Sequence, residues 1–276
     1  MKVFMSADIE GVSGVASDQR QAESSGMDYQ RARRLMALDV NAAIEGLMMA
    51  GAKEIVVNDS HGGMTNLWPE DIHPEAQLIL GGRKPLSMMQ GIDASYDAAV
   101  FVGYHARAGS RYGTLAHTYS GQIFELRLNG KPAGETQVNG ALAGYFGVPL
   151  ILVTGDQELA QQVKESNPAI ETAVVKYAHT RGATQCLHPE KGRAIIREAA
   201  QRALQRKQDI APLKYEMHVR FEVTFYATQM ADIVERVPGT ERVDNRTVSY
   251  VAQKDYLEGF KAFLAIMSLS AGAKDV

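Results

Sequence analysis

The sequence predicts an α/β fold: a mostly parallel sheet flanked by helices, with a smaller C-terminal α+β part. Three observations predict it. Short apolar runs at 3–7, 54–57, 97–102 and 149–155 have the length and composition of strands buried on both faces. Stretches of helical periodicity lie between several of them, and strands that alternate with helices build parallel sheets. From about residue 215 the pattern changes, because YEMHVRFEVTFY (215–226) alternates for longer than any earlier strand. A soft boundary divides the chain into an α/β part over 1–210 and a smaller α+β part over 211–276, which can also be read as one continuous domain.

Val3, Phe4, Met5 and Ala7 open the chain as a buried strand. Asp8 and Glu10 follow, and extended backbone through Ile9 would point both acids the same way. Gly11 and Gly14 let the chain turn. From Tyr29 to Met49, apolar residues such as Met36, Val40, Ile44 and Leu47 recur at helical steps, and Gly51 supplies the stop. EIVV (54–57) reads as a strand and NDSHGG as the turn after it, which leaves His61 just past a strand end. AQLILGG (76–82) is a further short strand, and His73, which precedes Pro74, reads as structural.

DAAVFV (97–102) is the next buried strand, and His105 in GYHARAG holds the same kind of place as His61. His117 lies in a glycine-rich stretch. QIFELRL (122–128) alternates, and Asn129-Gly130 is a hairpin signal. Glu135 opens a helix that Gly147 ends. PLILVTG (149–155) is a strand, 157–166 a helix, TAVVKYA (172–178) a strand and 190–206 a charged helix. After the long strand at 215–226, a short helix over 228–235, a strand near 243–251 and a helix over 254–268 complete the chain.

Apolar residues make up 45% and charged residues 22% of the chain, as in an ordinary globular protein. A net charge of −3 gives no electrostatic case for nucleic acid or an anionic membrane as partner. No apolar run is long enough to span a bilayer, and the N-terminal strand is interrupted by Asp8. Cys186 is the one cysteine, so no intrachain disulfide can form; it reads as an inert buried thiol. A cytoplasmic protein is expected.

In open α/β sheets, sites form outside the carboxyl ends of the strands. Asp8, Glu10, His61 and His105 all fall there, on three strands, and a helix start at Glu135 can face the same rim. Each has an ordinary alternative: Asp8 a turn former, His61 a turn histidine, His105 a packed histidine, Glu135 an acid favoured by a helix dipole. Jointly, two histidines and three carboxylates form an N/O donor set that suits zinc, with manganese or cobalt as alternatives. Five ligands exceed the needs of one catalytic ion, so a two-metal site is more economical. Asp8 would bridge it, a shared water would be acidified, and His117 would be left as proton donor or oxyanion partner.

These residues resemble the zinc-dependent D-aminopeptidase family associated with dipeptide transport. SADIEG (6–11), VNDSH (57–61), GYHA (103–106), the AH pair at 116–117 and GE (134–135) match its motifs in order and spacing, and RGATQCLHP (181–189) and PGT (238–240) extend the likeness. The resemblance implies Asp8, Glu10, His61, His105 and Glu135 as ligands of two zinc ions per chain and His117 as the catalytic histidine. It also implies D-stereospecificity, short peptides as substrates and a ring-stacked homo-decamer with a central channel. Two other readings stay open: a two-metal phosphoesterase, against which the stretches near the metal offer few cations beyond Arg107 and Arg111, and a non-enzymatic peptide-binding protein.

Overall fold

A computed structural model of the chain describes residues 1–275. In chain order the elements are β1 (Lys2–Ala7), α1 (Tyr29–Met49), β2 (Glu54–Asp59), β3 (Ala76–Ile79), β4 (Ala98–Val102), β5 (Ile123–Leu128), β6 (Lys131–Pro132), α2 (Glu135–Tyr145), β7 (Leu150–Asp156), α3 (Gln157–Ser166), β8 (Glu171–Thr180), β9 (Ala183–Cys186), α4 (Pro189–Gln205), β10 (Arg220–Phe225), α5 (Thr228–Val234), β11 (Thr240–Arg242), β12 (Thr247–Val251) and α6 (Tyr256–Ala271). Seven strands form one sheet in the order β3-β2-β1-β4-β7-β8-β9, parallel throughout except for β9. The chain fills one side of β1 with β2 and β3 and then crosses to β4, β7 and β8. The order therefore reverses between β1 and β4, where open α/β sheets leave a crevice at their carboxyl ends.

Burial explains why the central strands read as continuous apolar runs: Val3, Phe4, Met5, Val100, Phe101 and Val102 are all fully buried. Helices α1 and α4 pack on each other and reach β4, β7 and β8, while α2 and α3 pack together against β7 and β8. The second sheet is antiparallel, in the order β11-β12-β10-β5-β6. Strands β5 and β6 come from before residue 210 and the other three from after it. Helix α6 lies against α2 and β12, and the Tyr256 hydroxyl donates to Val138 O on α2 at 2.9 Å. The second sheet thus supports, through α6, the helix that begins with Glu135.

Several expectations change in detail. The long alternating strand begins at Arg220 rather than 215, because its ladder partners end there: Arg220 faces Val251 and Phe221 faces Leu128. The strand expected near 243–251 is a hairpin, β11–β12, whose turn is closed by the Asp244 carboxylate accepting from Arg246 N and Thr247 N. Strand β9 lies in a segment to which the sequence assigns no element, since ATQC carries no clear alternation. Cys186 is exposed on that edge strand rather than buried. No helix among the described residues is long and apolar enough to cross a membrane.

Candidate metal centre

The centre is built where β1, β2 and β4 end. Strand β1 stops at Ala7 and the chain turns at Ile9, with Val12 N donating back to Ile9 O at 3.1 Å. The extended backbone expected through Ile9 is therefore not what aligns the two acids. The strand end is held by main-chain bonds to the neighbouring strand instead: Asp8 N donates to Val102 O at 2.8 Å and Gly11 N to Gly103 O at 2.7 Å. Gly11 has an ordinary φ, but a Cβ there would collide with the Tyr104 carbonyl, so close approach rather than turning requires glycine. Ile9 is fully buried, and the Asp8 and Glu10 side chains converge on His61.

His61 Nδ1 lies 3.2 Å from Asp8 Oδ1 and 3.1 Å from Glu10 Oε2. Its Nε2 is 2.8 Å from Ala22 O, which only accepts, so a neutral ring carries its proton on Nε2 and aims the Nδ1 lone pair at the acids. His105 does the reverse. Its Nδ1 donates to Ala106 O at 3.0 Å, and its Nε2 points 3.6 Å from Asp8 Oδ2 and 3.2 Å from Glu135 Oε1 without hydrogen-bond geometry to either. That Nε2 is a buried polar atom with no hydrogen-bond partner. Glu135 opens α2 and accepts from Tyr119 N at 2.6 Å. Asn139, one turn along α2, meets the hydroxyls of Tyr119 and Tyr104 and steadies this wall.

His117 reaches the centre from the loop after β4. Its ring stacks on His105 with centroids 4.0 Å apart, Nδ1 donates to Leu115 O at 2.9 Å, and Nε2 is 3.8 Å from Glu135 Oε1. Leu115 itself adopts a positive φ of 53°. All six sequence-nominated residues therefore meet in one place. His73 and His188 take up local backbone contacts elsewhere.

Charge in this space is unbalanced without a cation. Burial pushes the Asp8 carboxyl well up, and the charge on Glu10 pushes it further. Burial would raise Glu10 too, but His61 holds it well below the usual range. Burial would lower both ligand-type histidines; Glu10 nevertheless holds His61 well above its ordinary value, and Glu135 lifts His105 to about 10. His117 goes down, through burial and then the charge on His105. These directions describe rings drawn toward carrying protons by three buried carboxylates, of which Asp8 is itself drawn to take one up. Divalent cations would remove that demand and take the two ring lone pairs as ligands. Asp8, Glu10 and His105 offer donor atoms within 4.8 Å of one another, as do His105, His117 and Glu135. The residues fit zinc by donor type, by the orphaned Nε2 and by the backbone partners that fix both tautomers.

Two adjoining cavities of about 540 and 630 Å³ open onto these residues and share Glu10, Glu23, His61 and His117 in their walls. Four supporting features were not read from the sequence. Lys176 on β8 is fully buried and donates to the carbonyls of Glu10, Val12 and Val15, the last two at 3.1 and 2.7 Å. Burial lowers its ammonium to about 8. A lysine inside the apolar run TAVVKYA was the available signal. Asp59, read as part of a turn, ends β2 and holds Asn66, whose amide donates to His61 O at 2.7 Å. Ala22 acts through its carbonyl, which no side-chain pattern reveals. Arg181 lines the first cavity from the β8–β9 turn.

The M55 peptidase family model, described as D-aminopeptidase, matches residues 1–265. A D-aminopeptidase of Bacillus subtilis (strain 168) is 37% identical over 270 residues, covering 98% of each chain. The solved structure of the Zn-dependent D-aminopeptidase DppA from Bacillus subtilis, a self-compartmentalizing protease, superposes with a TM-score of 0.95 at 37% identity, again over 98% of each chain.

Proposed function

The chain belongs to the D-aminopeptidase family, and from that premise we propose that it is a zinc-dependent aminopeptidase that releases N-terminal D-residues from short peptides or amides. The observation that carries the chemistry is the convergence of three buried carboxylates and two histidine lone pairs on one space. In this reading each chain holds two zinc ions. Glu10 and His61 would hold them on one side and His105 and Glu135 on the other, with Asp8 facing both pairs. When bound, zinc supplies Lewis acidity toward the scissile carbonyl and acidity for the attacking water.

The protein's own part falls to His117. A neutral ring that donates from Nδ1 to Leu115 O presents a bare Nε2 to the centre. It must accept a proton before it can donate one, so it acts first as base toward the attacking water and then as acid toward the leaving amine. Burial lowers its basicity and so favours the neutral ring. By the same reading the chain assembles as a homo-oligomer, a decamer by family likeness, whose enclosed space admits short peptides. Its single cysteine supports work in the cytoplasm.

One screen tests this. Purified protein with zinc is assayed on matched D- and L-alanyl dipeptides and amides and on a phosphate ester, with mass measured by light scattering. Cleavage of the D-forms far above the L-forms, by a particle many times 30.1 kDa, is expected. A preference for L or for the phosphate ester removes the assignment, and an active monomer removes the assembly.

A further inference from the structure

Arg181 is the only lysine or arginine that lines either cavity at the centre, among the described residues. The acidic residues in the first cavity's wall are Glu10, Asp18 and Glu23. The guanidinium is held from the loop that carries His117. Arg181 Nε donates to Ala116 O at 3.1 Å, and Arg181 O accepts from Leu115 N at 2.9 Å. Nη1 donates to Asp18 Oδ2 at 2.7 Å, while Nη2 has no hydrogen-bond partner among the described residues. The side chain is 52% exposed, so its ion pair with Asp18 is wet and contributes little to stability. An arginine fixed on one edge and open on another is suited to receive a carboxylate, since its planar fork matches that group's two oxygens.

We propose that Arg181 binds the free α-carboxylate of a short peptide substrate and so favours substrates whose chain ends one residue beyond the cleaved bond. This rests on the aminopeptidase reading above. In a dipeptide the carboxylate lies one residue, roughly 3.3–3.6 Å of extended chain, past the scissile carbonyl. The guanidinium is anchored on the residue that immediately precedes His117, the group assigned to the leaving amine. Amine and carboxylate belong to the same departing residue, so a site that protonates one and pairs the other holds that residue at both ends. Asp18 orients the fork and shares its charge when no substrate is bound. A longer peptide carries its carboxylate beyond reach, and a C-terminal amide offers no charge.

The test compares D-alanyl-D-alanine with its C-terminal amide on the zinc-loaded wild-type enzyme, Arg181→Met and Arg181→Lys, with zinc content measured for each. The wild type should favour the free acid. Arg181→Met should lose roughly 10- to 100-fold more kcat/KM on the acid than on the amide, mainly through KM, as expected for a lost charge-assisted pair. Arg181→Lys should keep part of the preference. Equal turnover of acid and amide by the wild type would overturn the inference. So would an equal loss on both substrates in Arg181→Met, which would mark Arg181 as a support for the His117 loop. A wild type inert on both would overturn the aminopeptidase reading itself and this inference with it.

Discussion

His61 with Glu10 forms an outer half of the centre and His105 with Glu135 an inner half, and Asp8 faces both. The outer histidine offers Nδ1 and is held through Nε2 by a carbonyl of the polar loop before α1. The inner histidine offers Nε2 and is held through Nδ1 by its own neighbour, Ala106. Their side chains are 13% and 1% exposed. The inner half is also roofed by His117 and backed by α2 and meets only the second cavity, through Glu135, whereas the outer half opens onto both. Matching donor chemistry is thus delivered by a loop-dependent arm and by a sheet-and-helix arm. Access, not ligand type, distinguishes them, and the outer half should exchange its ion first.

The largest effect expected is from metal removal. Complete chelation should abolish activity and zinc should restore it, with about two ions per chain in the active form. Graded chelation should release the ions in two phases; a single phase would break the distinction between the halves.

Ligand replacement sharpens the same contrast. His61→Ala and His105→Ala should each lower metal content, with activity near background at limiting zinc. Added zinc should recover more activity in His61→Ala, since the inner half remains intact and is the more enclosed of the two. Metal analysis at two zinc concentrations decides this, and equal recovery would count against it. Smaller is the effect of His117→Ala, which should retain both metals while kcat falls roughly 10²–10⁴-fold. If it loses metal instead and zinc rescues it, His117 belongs to the inner half as a ligand.

The smallest effect concerns Lys176. Lys176→Met keeps much of the volume but leaves the carbonyls of Glu10, Val12 and Val15 without their common donor. Zinc affinity of the outer half should fall by roughly 10- to 100-fold, as for other groups that orient ligands. Titration with zinc, read beside thermal melting, separates the outcomes. A lower melting temperature with unchanged zinc affinity would mean that the loop holds Glu10 unaided.

The sheet was legible because its strands are buried on both faces and so read as unbroken apolar runs, and the helix at 29–49 because its apolar face recurs over many turns. β9 was not, since a four-residue edge strand in which every residue is exposed or only partly buried has no pattern to read. Four of the six nominated residues, Asp8, Glu10, His61 and His105, were legible because α/β topology places strand ends together, which turns scattered acids and histidines into neighbours; Glu135 was read from a helix start and His117 from a loop. Their supports were hidden for a different reason. The Ala22 and Ala106 carbonyls exist at every residue, so nothing in composition marks the ones that fix a tautomer. Cys186 was misread because burial was inferred from residue type, while its position on an edge strand decided exposure.

The contact at Gly11 sets a gauge for the whole centre. Donors from β1 and the histidine after β4 belong to different strands, yet the gap between those strand ends is closed main chain to main chain, with no room for a single carbon. Its width is therefore independent of side-chain identity. Drift at the ligand positions can retune which ion is preferred without moving the two ends apart, whereas position 11 has no neutral alternatives at all. The least chemically equipped residue of the opening strand loop is the one that calibrates all the others.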